Sequence, residues 1–133
     1  MSTLFTKIIS REIPASIIYE DENHIAFLDI NPLEKWHTLV IPKKEYIMIL
    51  DMPEEEYLAL QKIVLKVAKH IEKKLWGGIN IFQSNKAIAW QEIMHVHFHI
   101  VPRTQEKSIL VSQNHDAYQD SQMQEYEKLL KIS

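Results

Sequence analysis

The stretch Met94 to Val101, MHVHFHIV, alternates apolar and histidine side chains without a break. Successive side chains on an extended strand point to opposite faces. Met94, Val96, Phe98 and Ile100 therefore share one face, and His95, His97 and His99 share the other. The alternation predicts a strand with its apolar face in a core. Three imidazoles are poor use of the opposite face unless that face carries chemistry.

The rest of the chain supplies what such a strand needs. At 133 residues, one compact unit can bury a core without disulfides. Hydrophobic residues at 46% and charged residues at 25% fit a soluble globular class. A net charge of -3 offers no basic footprint, which argues against a nucleic-acid polymer as partner and leaves room for a single nucleotide. The absence of cysteine excludes thiolate nucleophiles and cysteine zinc sites and favours an intracellular, cytoplasmic setting. No signal peptide, membrane span or internal repeat is expected.

Periodicity places the elements. Ser2 to Ser10 reads as a short helix with Leu4, Phe5, Ile8 and Ile9 at helical spacing, capped by Ser2 or Thr3. Ser16–Glu20 and His24–Ile30 read as strands around an EDEN turn, and Thr38–Ile41 as a third, closed by Pro42. Met52 to Leu75 is a long helix with Asp51 at the cap, three glutamates in the first turn and an apolar face of Tyr57, Leu60, Val64, Val67, Ile71 and Leu75. Gly77-Gly78 ends it, and Lys62, Lys66, Lys69, Lys73 and Lys74 form a solvated outer face. Ile79–Gln83 and Met94–Val101 complete five strands, and Asp116 to Ile132 reads as a terminal helix. The order predicts an α+β domain with helices on one side of an antiparallel sheet.

The histidine face admits three chemistries. It can be a solvent-facing polar strand. It can bind metal, but the outer alpha carbons of the three lie roughly 13 Å apart, so Asp29, His37 or Glu92 would have to complete the shell. It can hold a nucleophile or acid–base pair, because imidazole titrates near neutrality and neighbouring imidazoles disfavour one another's protonation. Phosphorus suits a nitrogen nucleophile that splits one displacement into two.

The pattern His-φ-His-φ-His-φ-φ, with φ apolar, resembles the signature of the histidine triad (HIT) nucleotide-binding proteins and nucleotidyl hydrolases. The segments FTKIISREIPASIIYEDENHIAFLDINP, WHTLVIPKKEY and NIFQSNKAIAWQEIMHVHFHIVPR are similar to the family's in the same order. The resemblance runs from Leu4 to Arg103, and Trp90 followed by Gln91-Glu92 fits a bacterial-type branch. It implies a HIT-like fold: a five-stranded antiparallel sheet with a long and a short helix, one domain over residues 1–133 with a core at 4–103 and a tail at 104–133. It also implies a homodimer with a joined ten-stranded sheet, its seam formed by the long helix and Ile79–Gln83.

The resemblance assigns roles by position. His97 would attack the α-phosphate of a purine nucleoside monophosphate derivative and form a covalent nucleotidyl-histidine. His99 would donate to a phosphate oxygen, and His95 and His37 would orient the nucleophile. Asp29 would accept from the ribose hydroxyls, where the residues alone also allow a turn role. Phe5, Ile8, Ile13, Leu28 and Ile30 would line the base slot, although without the resemblance all five read as core. Gln91 would lie near the phosphates or leaving group, and Asn85 or Ser84 would supply a hydrogen bond. No cofactor is required; zinc can be carried without a catalytic role. The loop departs from the family pattern, with no glycine from Ser84 to Trp90 and Lys86 where glycine is common. His24, His70 and His115 read as structural or surface residues.

Three functions stay open at this point. The first is a phosphoramidase-like hydrolase acting on AMP derivatives, with dinucleoside polyphosphate hydrolysis as its neighbour. The second is a nucleotide-binding partner module with weak catalysis. The third is a structural metal domain.

Overall fold

The computed structural model describes residues 2–75, 77–104 and 116–132. Helix α1 spans Leu4–Ile9. Strands β1 (Ile17–Glu20), β2 (His24–Leu28) and β3 (Thr38–Pro42) follow. Helix α2 is Glu54–Lys74, β4 is Gly78–Gln83, β5 is Phe98–Arg103 and α3 is Gln122–Leu130. The five strands form one antiparallel sheet in the order β1-β2-β3-β5-β4. Predicted and observed elements agree in type and order.

Both faces of the sheet are covered, and this corrects the one-sided packing expected from sequence. Ala26, Val40, Val96, Phe98 and Ile100 meet Leu60, Val64, Val67 and Ile71 of α2 on one face. Ile25, Phe27, Leu39 and Ile41 meet Phe5 and Ile8 of α1 on the other. A helix as short as α1 has little intrinsic stability. A capping box holds its start: Thr6 N–H donates to Thr3 Oγ1 at 3.3 Å, and Thr3 N–H to Thr6 Oγ1 at 2.7 Å.

Two local expectations are revised. Asp51 does not cap α2. Its carboxylate accepts from Met48 N–H at 3.2 Å and closes a 3₁₀ turn over Ile49–Asp51, while α2 starts after Pro53, whose carbonyl accepts the Tyr57 amide at 3.0 Å. The terminal helix is shorter than expected, and none of its residues is buried. Gly77 has φ +140, and a Cβ there would stand 2.2 Å from the Arg103 carbonyl oxygen, so α2 can turn into β4 only through glycine.

Candidate active site

The histidine stretch is only partly a strand. Ladder pairing begins at Phe98, where Val40 and Gln83 are the partners, and His99 pairs with Leu39 and Phe82. Before it the chain leaves the sheet. His95 N–H bends back to the Ile93 carbonyl at 2.8 Å, and Val96 N–H reaches the Tyr46 carbonyl at 2.8 Å. Val96, Phe98 and Ile100 lie in the α2-side core as expected. Met94 does not; it is 38% exposed, because strand alternation no longer governs that position.

The three histidines nonetheless share the α1 face. Phe5 meets the ring of His97 edge-on at 5.0 Å and that of His95 at 5.9 Å, and Phe27 backs Phe5 at 5.6 Å. His97 and His99 are 4.9 Å apart between centroids. Phe82, directly across the ladder, stacks on His99 at 4.2 Å and 9°. His37, just ahead of β3, completes the cluster 5.2 Å from His99.

Hydrogen bonds set where each ring proton sits. His95 Nε2–H donates to the Pro42 carbonyl at 2.7 Å. His97 Nδ1–H donates to the His95 carbonyl at 2.8 Å, which leaves the unshared pair on Nε2. His37 Nδ1 accepts the Leu33 amide at 3.0 Å, so its proton is on Nε2, which donates to His99 Nδ1 at 3.0 Å. His99 then carries its proton on Nε2. Burial lowers the pKa of all four rings. For His99, burial and then its neighbours His97 and His37 push it down to about 3. The cluster is neutral at pH 7: His97 offers a lone pair, and His99 offers an N–H donor.

This geometry revises how His97 is supported. His95 orients it through its main-chain carbonyl, because the His95 ring is committed to Pro42. His37 bonds to His99 and not to His97.

A sequence profile described as the HIT domain matches residues 10–106, most of the chain. The chain belongs to the HIT family. An uncharacterised HIT-like protein of Methanocaldococcus jannaschii is 50% identical over 100 residues, covering 75% of this chain and 78% of its own. An adenosine 5′-monophosphoramidase of Saccharomyces cerevisiae is 39% identical over 108 residues, covering 81% of this chain and 66% of its own. The crystal structure of a HIT-family protein from Bacillus subtilis matches with a TM-score of 0.87 at 31% identity, covering 98% of this chain and 95% of that one.

The other residues expected in a HIT nucleotide site are not all brought together. Asp29 lies beside the histidines, with Oδ2 3.6 Å from His37 Nε2 and Oδ1 accepting the Asn31 amide at 2.9 Å. Phe5 and Ile8 are core residues, and Ile13 packs partly buried against the same cluster. Ile30 is 83% exposed. Leu28 falls on the wrong face: it pairs with Thr38 and borders α2 beside His70 and Ile71, because alternation puts Phe27, not Leu28, on the histidine side. Phe27 and Phe82 were missed. Alternation counted from Ile25 would have found the first; the second depends on a β4–β5 register invisible in one strand's sequence.

The glycine-free loop keeps a backbone suited to glycine. Lys86 has φ 77 and ψ 149, and Trp90 has φ 71 and ψ 27. Gln91 holds the loop: its Oε1 accepts the Lys86 amide at 2.7 Å, and its Nε2 donates to the carbonyls of Ile47 at 2.6 Å and Ile93 at 3.2 Å. Both donors of the buried Gln91 amide are thus spent on backbone, not offered to a leaving group. Asn85 is likewise engaged, with Oδ1 accepting from Ile49 N–H and Gln83 Nε2 and Nδ2 donating to Gln83 Oε1. Ser84 is half-buried, and its carbonyl accepts from Gln83 Nε2 at 3.0 Å.

Away from the site, His24 is a buried brace on Asp21 at 3.0 Å, and His70 lies on exposed α2 surface. His115 lies outside the described residues. Lys66, Lys69 and Lys73 border an open groove of about 400 Å³ on the face opposite the histidines.

Among the described residues, the donor set that could hold a metal is Asp29, His37 and His99, within 4.8 Å of one another, not the triad itself. It fits a resident zinc poorly. Zinc binds a neutral imidazole through an unprotonated nitrogen. The Leu33 amide occupies His37 Nδ1 and so puts the proton on Nε2, the atom that faces the other two donors.

Proposed function

We propose that this HIT-family protein hydrolyses purine nucleoside 5′-phosphoramidates, adenosine 5′-phosphoramidate first among them. The observation that carries the reading is the tautomer of His97: its Nδ1–H is fixed on the His95 carbonyl, which makes Nε2 the nucleophile. The similar yeast adenosine 5′-monophosphoramidase supports the substrate class.

His97 Nε2 attacks the α-phosphorus and forms a P–N bond. The bond to the leaving amine breaks as its nitrogen takes up one proton from solvent, so that the neutral amine departs; the later water step returns that proton. The His95 carbonyl, already accepting from Nδ1–H, stabilises the positive charge on the nucleotidylated ring. His99 Nε2–H donates to a phosphate oxygen. Water then attacks phosphorus, His97 leaves, the water's second proton passes to solvent and AMP is released. Asp29 accepts from the ribose hydroxyls. Ile13 and Ile30 contact the base, with Phe5, Ile8 and Phe27 packed behind them. Gln91 and Asn85 act by shaping the loop.

The reading includes one HIT domain over residues 1–133, at work in the cytoplasm as a homodimer. Support for the dimer is the open edge of β4, where Ile81 is exposed, with Leu58 and Leu65 exposed on α2.

The test is AMP release from adenosine 5′-phosphoramidate by the wild type and by His97→Ala, both checked for folding by circular dichroism. The expected loss in kcat/KM is about 10³-fold or more. A wild type that releases no AMP overturns the reading.

A further inference from the structure

Asp29 and His99 face the same proton. With its Nδ1 accepting the Leu33 amide, His37 has one ring proton, on Nε2. That atom donates to His99 Nδ1 at 3.0 Å, while Asp29 Oδ2 stands 3.6 Å away, beyond hydrogen-bond distance but near enough for its charge to pull on the same proton. A single N–H cannot be well aligned to both acceptors. The Asp29 carboxylate cannot swing away freely, because Oδ1 is held by the Asn31 amide at 2.9 Å.

The destination of this proton decides what His99 can do. When His37 donates to His99 Nδ1, the His99 proton must sit on Nε2, and Nε2 is a donor. When His37 turns its proton to Asp29, no other hydrogen bond among the described residues holds His99 in that tautomer. Its remaining close ring contacts, the stack on Phe82 and the edge contact with His97, are not hydrogen bonds to its ring nitrogens and do not set the tautomer. An Nε2 without its proton would present a lone pair to an anionic phosphate oxygen, and the contact would be repulsive.

We propose that Asp29 is a positioning residue as well as a ribose ligand: sugar hydroxyls that donate to its carboxylate remove its pull on the His37 proton, strengthen the existing bond to His99 and lock His99 as a donor on Nε2. Recognition of the ribose is thereby coupled to the readiness of the phosphate-binding histidine. The inference rests on the nucleotide reading above and adds a consequence to it. A ligand that only binds ribose would, when the hydroxyls are removed, show a change in KM. A coupled ligand changes kcat as well.

The test has two readouts. The first is ¹⁵N NMR of histidine-labelled protein saturated with AMP or with 2′,3′-dideoxy-AMP. AMP is expected to move the His99 nitrogens to a single tautomer protonated on Nε2, and the dideoxy nucleotide to leave them averaged. The second compares the two phosphoramidates as substrates. Loss of the hydroxyls is expected to lower kcat about tenfold in addition to raising KM, in line with one charge-assisted hydrogen bond. In Asp29→Asn, the carbonyl keeps the Asn31 bond and an NH₂ faces His37, so competition for the proton ends and the two substrates should show the same kcat. Identical His99 shifts with both nucleotides, or a kcat unchanged by the missing hydroxyls, overturns the coupling. Tautomer locking by AMP in a protein that turns over neither substrate would uphold the coupling and refute the hydrolase reading.

Discussion

Acidification should destabilise this fold well before its carboxylates titrate, and His99 is the place to measure it. In the unfolded chain a histidine takes up a proton near pH 6.5. In the folded protein burial and its neighbours hold His99 neutral to about 3. The folded pKa is the lower one, so stability is fully present above about 6.5 and is lost as pH falls toward 3. Between pH 7 and pH 5 the loss from one such group is at most about 2 kcal/mol. Partial solvent contact at His99 reduces the expected value to about 1 kcal/mol. His37, His95 and His97 are shifted in the same direction by burial and steepen the dependence. Glu20 and Asp21 have lowered pKa values, Asp21 to about 2, and so act only at lower pH. The assay is urea unfolding at pH 7 and pH 5 for the wild type and for His99→Asn, whose Oδ1 can still accept the His37 proton but does not titrate. The variant should lose about 1 kcal/mol less than the wild type over the same interval. A wild type equally stable at both values, or a variant with the same pH dependence, would refute the reasoning.

Other substitutions test the frame around the site. Gln91→Ala removes the partner of the Lys86 amide and of the Ile47 and Ile93 carbonyls in a part-buried setting, and urea unfolding should show a loss of about 1 kcal/mol. Lys86→Gly relieves a side chain from a backbone region that favours glycine and should raise the melting temperature, with a gain of about 1 kcal/mol. Gly77→Ala sets a Cβ against the Arg103 carbonyl and should cost about 2 kcal/mol or more by the same measurement.

Much of this was legible because two periodicities are strong. The α2 face appeared as written, since Leu60, Val64, Val67 and Ile71 recur at helical spacing and all pack into the core. The histidine alternation correctly put Val96, Phe98 and Ile100 on one face and the rings on the other. It failed at Met94, where the chain has left the ladder, and at the strand's starting point. Side-chain partners were less legible. Nothing local indicates that His95 serves His97 through a carbonyl, that Leu33 fixes the tautomer of His37, or that Phe82 lies on His99. The first two span only two and four residues but depend on backbone that has left the strand pattern, and the third depends on the β4–β5 register. The glycine-free loop looked like a departure from the pattern, yet Gln91 imposes the conformation from three sides.

The central claim is that His97 Nε2 attacks phosphorus, and an adduct on that residue is its most direct signature. The wild type and His97→Ala would be quenched during turnover of adenosine 5′-phosphoramidate and their intact masses measured, with the modified residue located by fragmentation. The account predicts a transient adenylyl adduct on His97 in the wild type and none in the variant. An adduct on another residue, or AMP released at full rate by His97→Ala, would contradict it.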